Sequence, residues 1–257
     1  MMDKEHAASA GGLAVAGWPT RPHWGIYAAL LVVSMGLLTL EISLTRLFSF
    51  TVWYHFAYLT ISVALLGFGS SGAIVSAFPE LFRRRGETVL LVTLVMASAL
   101  TVVALRLLTQ YPLEVSDILE NPVSFSWGLL GYYTAVALPF LLAGFSISLP
   151  FAAYPLQMGR LYFWDLLGAA LGCLVTVLSI ELMGIPGLVV AVAGLLLAGA
   201  GFLALGSRRR VAGAGLLIAA AVVFAGARPF GNSLPITITS TKGLARNLDK
   251  IGGEGTF

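Results

Sequence analysis

The sequence predicts an all-α fold, a polytopic transmembrane bundle of about seven spanning helices, and three observations carry that prediction. Hydrophobic residues make up 58% of the 257 and charged residues only 11%, against about 25% charged in a typical soluble domain. Mean hydropathy is +0.91, so a soluble globule of this length would lack the polar surface to cover itself. The apolar residues also fall into seven runs near the length of about 20 helical residues that a bilayer core requires. In hydrocarbon every backbone N–H and C=O must be satisfied internally, which makes each such run a helix.

The polar start, residues 1–24, holds Asp3, Lys4, Glu5 and the Gly11 and Gly12 pair. It predicts a disordered tail, too polar and too long for a cleaved signal peptide. A transmembrane helical domain follows over residues 25–227. Its helix one covers about 25–48 and helix two about 54–78, ended by Pro79, with helix three at about 88–108. A loop with Tyr111, Pro112, Glu114, Asp117, Glu120 and Pro122 leads to helix four, about 126–149. Pro150 and Pro155 bracket a turn before helix five, about 163–183. Helix six starts at Pro186 and reaches about 205, and a short helix seven takes about 211–227. Residues 228–257 form a polar C-terminal tail.

Arg83, Arg84 and Arg85 follow helix two, and Arg208, Arg209 and Arg210 follow helix six. Both clusters lie in loops of the same parity, Arg160 after helix four joins them, and the loop after helix three is acidic. The positive-inside bias then places the N-terminus in the cytoplasm. Seven crossings leave the C-terminal tail outside, although it carries Lys242, Arg246 and Lys250. The net charge of +3 is therefore an orientation signal, and no basic face is left for nucleic acid. One cysteine, Cys173, excludes a disulfide framework and a thiol metal cluster. His55 has no second His or Cys at metal spacing, so no metal site is expected.

Gly67-Phe68-Gly69-Ser70-Ser71-Gly72 matches the G-x-G-x-x-G dinucleotide fingerprint. A nucleotide loop must open a new helix after a strand, whereas these glycines lie inside one apolar spanning run. Gly67, Gly69 and Gly72 read instead as a helix-packing surface on which small residues let a neighbouring backbone approach. Helix five is the most organised segment. At about 100° per residue, Asp165, Gly168, Ala169, Gly172, Thr176 and Ser179 share one sector, which must point into the bundle. Asp165 is read either as a helix-start carboxylate capping free N–H groups or as a functional, partner-binding group.

Helix one places Ser34, Glu41 and Thr45 on one stripe. Glu41 lies deep enough that an unpartnered charge would be costly, so it must be protonated, paired or facing water. Its candidate partners are Arg46, His55 and Arg106. Glu41, Thr45, Arg46, His55 and Asp165 together form the candidate intramembrane polar site, with structural pairing and function both open. Leu65-Leu66-Gly67 and Leu166-Leu167-Gly168 occupy corresponding places if helices one to three and four to six are halves, a faint sign of an inverted repeat.

Leu40-Glu41-Ile42-Ser43-Leu44-Thr45-Arg46-Leu47-Phe48, Leu65 to Gly72, and above all Gly159-Arg160-Leu161-Tyr162-Phe163-Trp164-Asp165-Leu166-Leu167-Gly168-Ala169-Ala170-Leu171-Gly172 resemble the membrane domain of bacterial spermidine synthase-like membrane proteins. The similarity runs from about residue 26 onwards. It implies a bacterial inner-membrane domain that precedes or serves a soluble aminopropyltransferase-like domain, whose cofactor would be decarboxylated AdoMet or AdoMet. Leu234 to Leu248 is similar to the lead-in to that domain, while the cofactor glycine loop and catalytic Asp are missing from the chain. Ile251-Gly252-Gly253-Glu254-Gly255 is followed by no helix and takes no such role. The expectation is thus a truncated or split protein that binds no cofactor by itself. Its partners are the lipid bilayer and either a separate transferase-like domain or further copies of itself. The alternative is a membrane transporter for a small solute, a polyamine or another cation.

Overall fold

In a computed structural model the described residues are 18, 21–51, 54–83, 85–110 and 122–232. Every regular element among them is a helix: α1 (Trp24–Thr51), α2 (Tyr54–Ala77), the short α3 (Pro79–Arg83), α4 (Gly86–Gln110), α5 (Pro122–Ala153), a 3-10 turn (Pro155–Gln157), α6 (Met158–Gly206) and α7 (Arg210–Asn232). Six of them are long and apolar enough to cross a membrane.

A straight helix with the 49 residues of α6 would be about 74 Å long, more than twice the thickness of a bilayer core. It reverses at Gly184, whose φ of 68° and ψ of 169° suit glycine alone. Pro186 then opens the return leg, where its fixed φ fits a helix start and its missing N–H costs nothing. Contacts prove the reversal. Gly168 lies against Leu31 and Gly172 against Met35, so the outgoing leg, α6a (residues 158–183), runs parallel to α1. Gly36 opposes Leu195 and Gly199 opposes Val33, so the return leg, α6b (residues 186–206), runs antiparallel to it. The six helices therefore make seven crossings.

One face of the bundle gathers the start of α1, the start of α4 and the α6–α7 turn. There His23 meets Glu87 at 3.3 Å and Arg209 Nη2 donates to Thr88 Oγ1 at 3.1 Å. Arg85, Arg208 and Arg210 stand exposed on the same face. At the opposite face the Arg106 guanidinium, near the end of α4, lies 4.5 Å above the Phe230 ring. Because Phe230 is near the end of α7, α7 crosses the whole bundle. Between the faces Val33, Leu37, Leu40, Leu44 and Phe48 of α1 share a core with Leu94 and Leu105 of α4, Phe140 of α5, and Val192 and Leu196 of α6b.

Several sequence-based boundaries move. Helix seven continues past 227 to Asn232, and Phe230 within that extension packs beneath Arg106. Pro79 begins α3 rather than merely closing α2, and Pro150 lies within α5. The N-terminal tail is docked at Trp18, whose ring meets Tyr154 edge-on at 5.7 Å. The rest of that tail up to residue 17, the 111–121 loop and the tail from 233 lie outside the described residues.

Candidate intramembrane polar site

Asp165 sits two turns inside α6a. That helix begins at Met158, its N-cap position is Gln157, and no side chain caps it, so the helix-start role expected for Asp165 is replaced by one across helices. Its carboxylate accepts a hydrogen bond from Ser34 Oγ on α1. Ser34 is 4% exposed, so the bond is shielded from competition by water.

Successive turns of α6a continue the seam. A methyl group added at Gly168 would collide with the Leu31 carbonyl oxygen, and one added at Gly172 would stand 2.5 Å from that of Met35. Thr39 Oγ1 donates to Met35 O at 2.9 Å and reaches Gly172 O at 3.3 Å. Thr176, fully buried, returns its hydroxyl to Gly172 O at 2.7 Å. Asp165, Gly168, Gly172 and Thr176 thus use the face deduced from their spacing to hold α1 at backbone distance. In lipid, where apolar contact alone gives no preference for helix over acyl chain, such close approach and interhelical hydrogen bonding are the available attractions.

Glu41 does not join Asp165. It lies two turns beyond Ser34, about 10 Å further along α1, half-buried. Among the described residues no ion pair engages its carboxylate, and its carbonyl oxygen accepts from Thr45 Oγ1 at 2.8 Å. Arg46 points outward, Arg106 is occupied by Phe230, and the side chain of His55 lies outside the described residues. The candidate residues therefore separate into an Asp165–Ser34 clasp and a distinct Glu41–Thr45 turn.

On α2 the packing residue is Gly67, whose added methyl would fall 2.8 Å from Phe140 Cβ and 3.0 Å from Ala137 O of α5. A methyl group added at Gly72 would stand at ordinary contact distance, 3.8 Å, from Ser148 Oγ. Gly69 is corrected: a methyl group added there would meet no neighbouring helix within 4 Å among the described residues, because it is rotated about 200° from Gly67. Between them Ser71 Oγ lies 3.0 Å from Ser148 Oγ. The three glycines lie in one continuous helix, which is not the geometry of a phosphate loop.

A second polar cluster, missed in the sequence, occupies the arginine-bearing face. Tyr27 donates to Gln157 Oε1 at 2.8 Å, and the buried Tyr154 hydroxyl has no partner among the described residues. Burial first, then the charge of Glu87, pushes the Tyr154 phenol up. Its sequence signal was the placement of His23 and Glu87 at the starts of apolar runs on the same side. Among the described residues no three His, Cys, Asp or Glu side chains gather closely enough to hold a metal ion.

Compared with known proteins, the chain matches no family model, no curated protein and no solved structure.

Proposed function

We propose that this chain is the membrane-embedded domain of a spermidine synthase-like protein, anchoring or serving an aminopropyltransferase-like or methyltransferase-like domain that lies outside the seven crossings. One observation carries the reading. The segment with the strongest resemblance, Gly159 to Gly172, is the one whose carboxylate and glycines fix α6a to α1. Side chains engaged in this way set the register of two helices and offer no group to a substrate, which is the work of a scaffold. Decarboxylated AdoMet or AdoMet belongs to the attached domain in this reading, and the setting is the bacterial inner membrane with a cytoplasmic N-terminus. The test is reconstitution. The chain in nanodiscs should retain on the disc a soluble transferase-like protein encoded beside it, and aminopropyl transfer to a labelled diamine should require that protein. Failure of the two to associate, with transfer unaffected by the discs, removes the reading.

A second reading, transport of a small solute such as a polyamine or another cation, is favoured by Glu41, a half-buried intramembrane carboxylate with no ion pair among the described residues. Labelled putrescine uptake into vesicles, unchanged by Glu41→Gln and Asp165→Asn, counts against it.

A further inference from the structure

The crossings fall into two halves of three, α1, α2, α4 and α5, α6a, α6b, with α7 appended to α6b. Helices at corresponding places run in opposite directions. The first helices, α1 and α5, lie antiparallel. Phe48 meets Tyr132 with ring centroids 5.5 Å apart towards one face, and Tyr27 packs against the cluster of Tyr154 towards the other.

The second helices are exchanged. Gly67 of α2 presses on α5 at Ala137 and Phe140, while Gly168 of α6a presses on α1 at Leu31. Each of these glycines closes a Leu-Leu-Gly tripeptide, residues 65–67 and 166–168. Each approaches a backbone carbonyl of a helix running parallel to its own. About one turn further on, Ser71 meets Gly144 and Gly172 meets Met35. Ser71 with Gly144 corresponds to Thr39 with Gly172, whose carbonyl oxygen Thr39 Oγ1 reaches at 3.3 Å. Each pair is further tied by a side-chain hydrogen bond of its own, Ser71 with Ser148 and Ser34 with Asp165, at places that do not correspond.

The third helices, α4 and α6b, pack on each other through Ser98 Oγ, which donates to Ala193 O at 2.8 Å. Each also lies on the first helix of the other half. Tyr132 of α5 donates to Leu108 O of α4 at 3.4 Å, and Gly199 of α6b touches Val33 of α1. A second sequence echo accompanies this pattern, Ile42-Ser43-Leu44 in α1 and Ile147-Ser148-Leu149 in α5. Contacts that exchange in this way are generated by a two-fold axis in the membrane plane.

We infer that the bundle is an inverted repeat with exchanged second helices, and that its two parallel pairs, α1 with α6a and α2 with α5, tilt against each other so that the seam between them opens alternately to the two faces. Polar bonds and backbone contacts hold each pair together. The core between them is apolar, with Leu37, Leu40 and Leu44 sharing it with Val136, Phe140 and Ala143. The inference goes beyond the proposed function and does not rest on it.

Spin-label pairs on the full chain in nanodiscs, in a Cys173→Ser background, test it by pulsed dipolar distance measurement. All labels replace exposed residues. Within-pair labels (Arg46→Cys with Leu182→Cys, Ser62→Cys with Leu130→Cys) should each give one narrow distance. Cross-pair labels at the two faces (Arg46→Cys with Leu130→Cys, Trp24→Cys with Ala152→Cys) should each give two populations, the longer at one face matching the shorter at the other in weight. Adding a Phe48→Cys and Tyr132→Cys disulfide in a Trp24/Ala152-labelled chain should reduce its two populations to one. Cross-pair distances as single and narrow as the within-pair ones, before and after cross-linking, overturn the tilting of the pairs.

Discussion

The Ser34 hydroxyl on α1 donates to the Asp165 carboxylate on α6, joining two parallel crossings that are 131 residues apart in the chain. Removing the donor leaves a carboxylate in a low-dielectric seam without its partner, which costs more than the bond itself returns. Interhelical hydrogen bonds in membranes contribute about 0.6 to 1.7 kcal/mol. Ser34→Ala should therefore destabilise the detergent-solubilised chain by about 1–2 kcal/mol, while Ser34→Thr, which keeps the hydroxyl, should recover most of the loss. Equal unfolding midpoints for Ser34→Ala and the parent chain would show that the clasp contributes nothing.

Gly168 and Gly69 are both helical glycines in apolar crossings, yet substitution should separate them sharply. At Gly168 a methyl group would collide with the Leu31 carbonyl oxygen, part of a backbone that cannot rotate away. Overpacking of this kind costs about 1–3 kcal/mol. At Gly69 an added methyl would meet no neighbouring helix within 4 Å among the described residues, and alanine is the better helix former by up to about 1 kcal/mol. Gly168→Ala should lower the thermal unfolding temperature in detergent and Gly69→Ala should leave it level or raise it. The opposite ranking would contradict the α1–α6a seam.

The length and number of the crossings were legible because lipid imposes them on composition, and the arginine clusters gave their parity. The inward face of helix five was also legible, since Asp165, Gly168, Gly172 and Thr176 recur at helical spacing and a carboxylate avoids lipid. What periodicity does not encode is azimuth between helices. Ser34 as the partner of Asp165 required knowing that helix five runs beside helix one, a relation between segments far apart in the chain. Gly69 departs from the expected packing surface because small residues recur on several faces of α2 at once. Only the neighbour, α5, decides which face is used. Helix seven reaches Asn232 rather than 227, because an apolar run marks only where hydrophobic residues stop, whereas the stacking of Phe230 under Arg106 is a contact between distant segments.

Gly184 should be the least substitutable glycine for chain reversal. Its φ of 68° and ψ of 169° lie in a region that side-chain-bearing residues enter at a cost of about 1–3 kcal/mol. Space is not the constraint there, since the nearest atom, Pro186 Cδ, is 3.9 Å from an added methyl. Gly184→Ala should therefore destabilise through strain alone, measurably in chemical or thermal unfolding. Gly159→Ala, with open space and a helical backbone, is the matched control and should be neutral. A neutral Gly184→Ala would mean that the α6a–α6b turn relaxes to another conformation.

The geometry fixes the faces on which α1 begins and α7 ends. His23 adjoins Gly206 and Glu87, so the start of α1 stands on the face bearing Arg85, Arg208, Arg209 and Arg210. Phe230 adjoins Arg106 near the far end of α4, so α7 ends at the opposite face. Lysine and arginine in short loops hold their face in the cytoplasm. A fluorescent protein that folds only in the cytoplasm should therefore shine when fused at the N-terminus and stay dark at the C-terminus. A phosphatase active only outside should give the reverse. Replacing Arg208, Arg209 and Arg210 with glutamine weakens one of the two clusters that set this parity and should increase the fraction of chains in the opposite orientation. Cytoplasmic fluorescence from both ends of the unaltered chain would require an even number of crossings, and with it the loss of either the Gly184 reversal or the full span of α7.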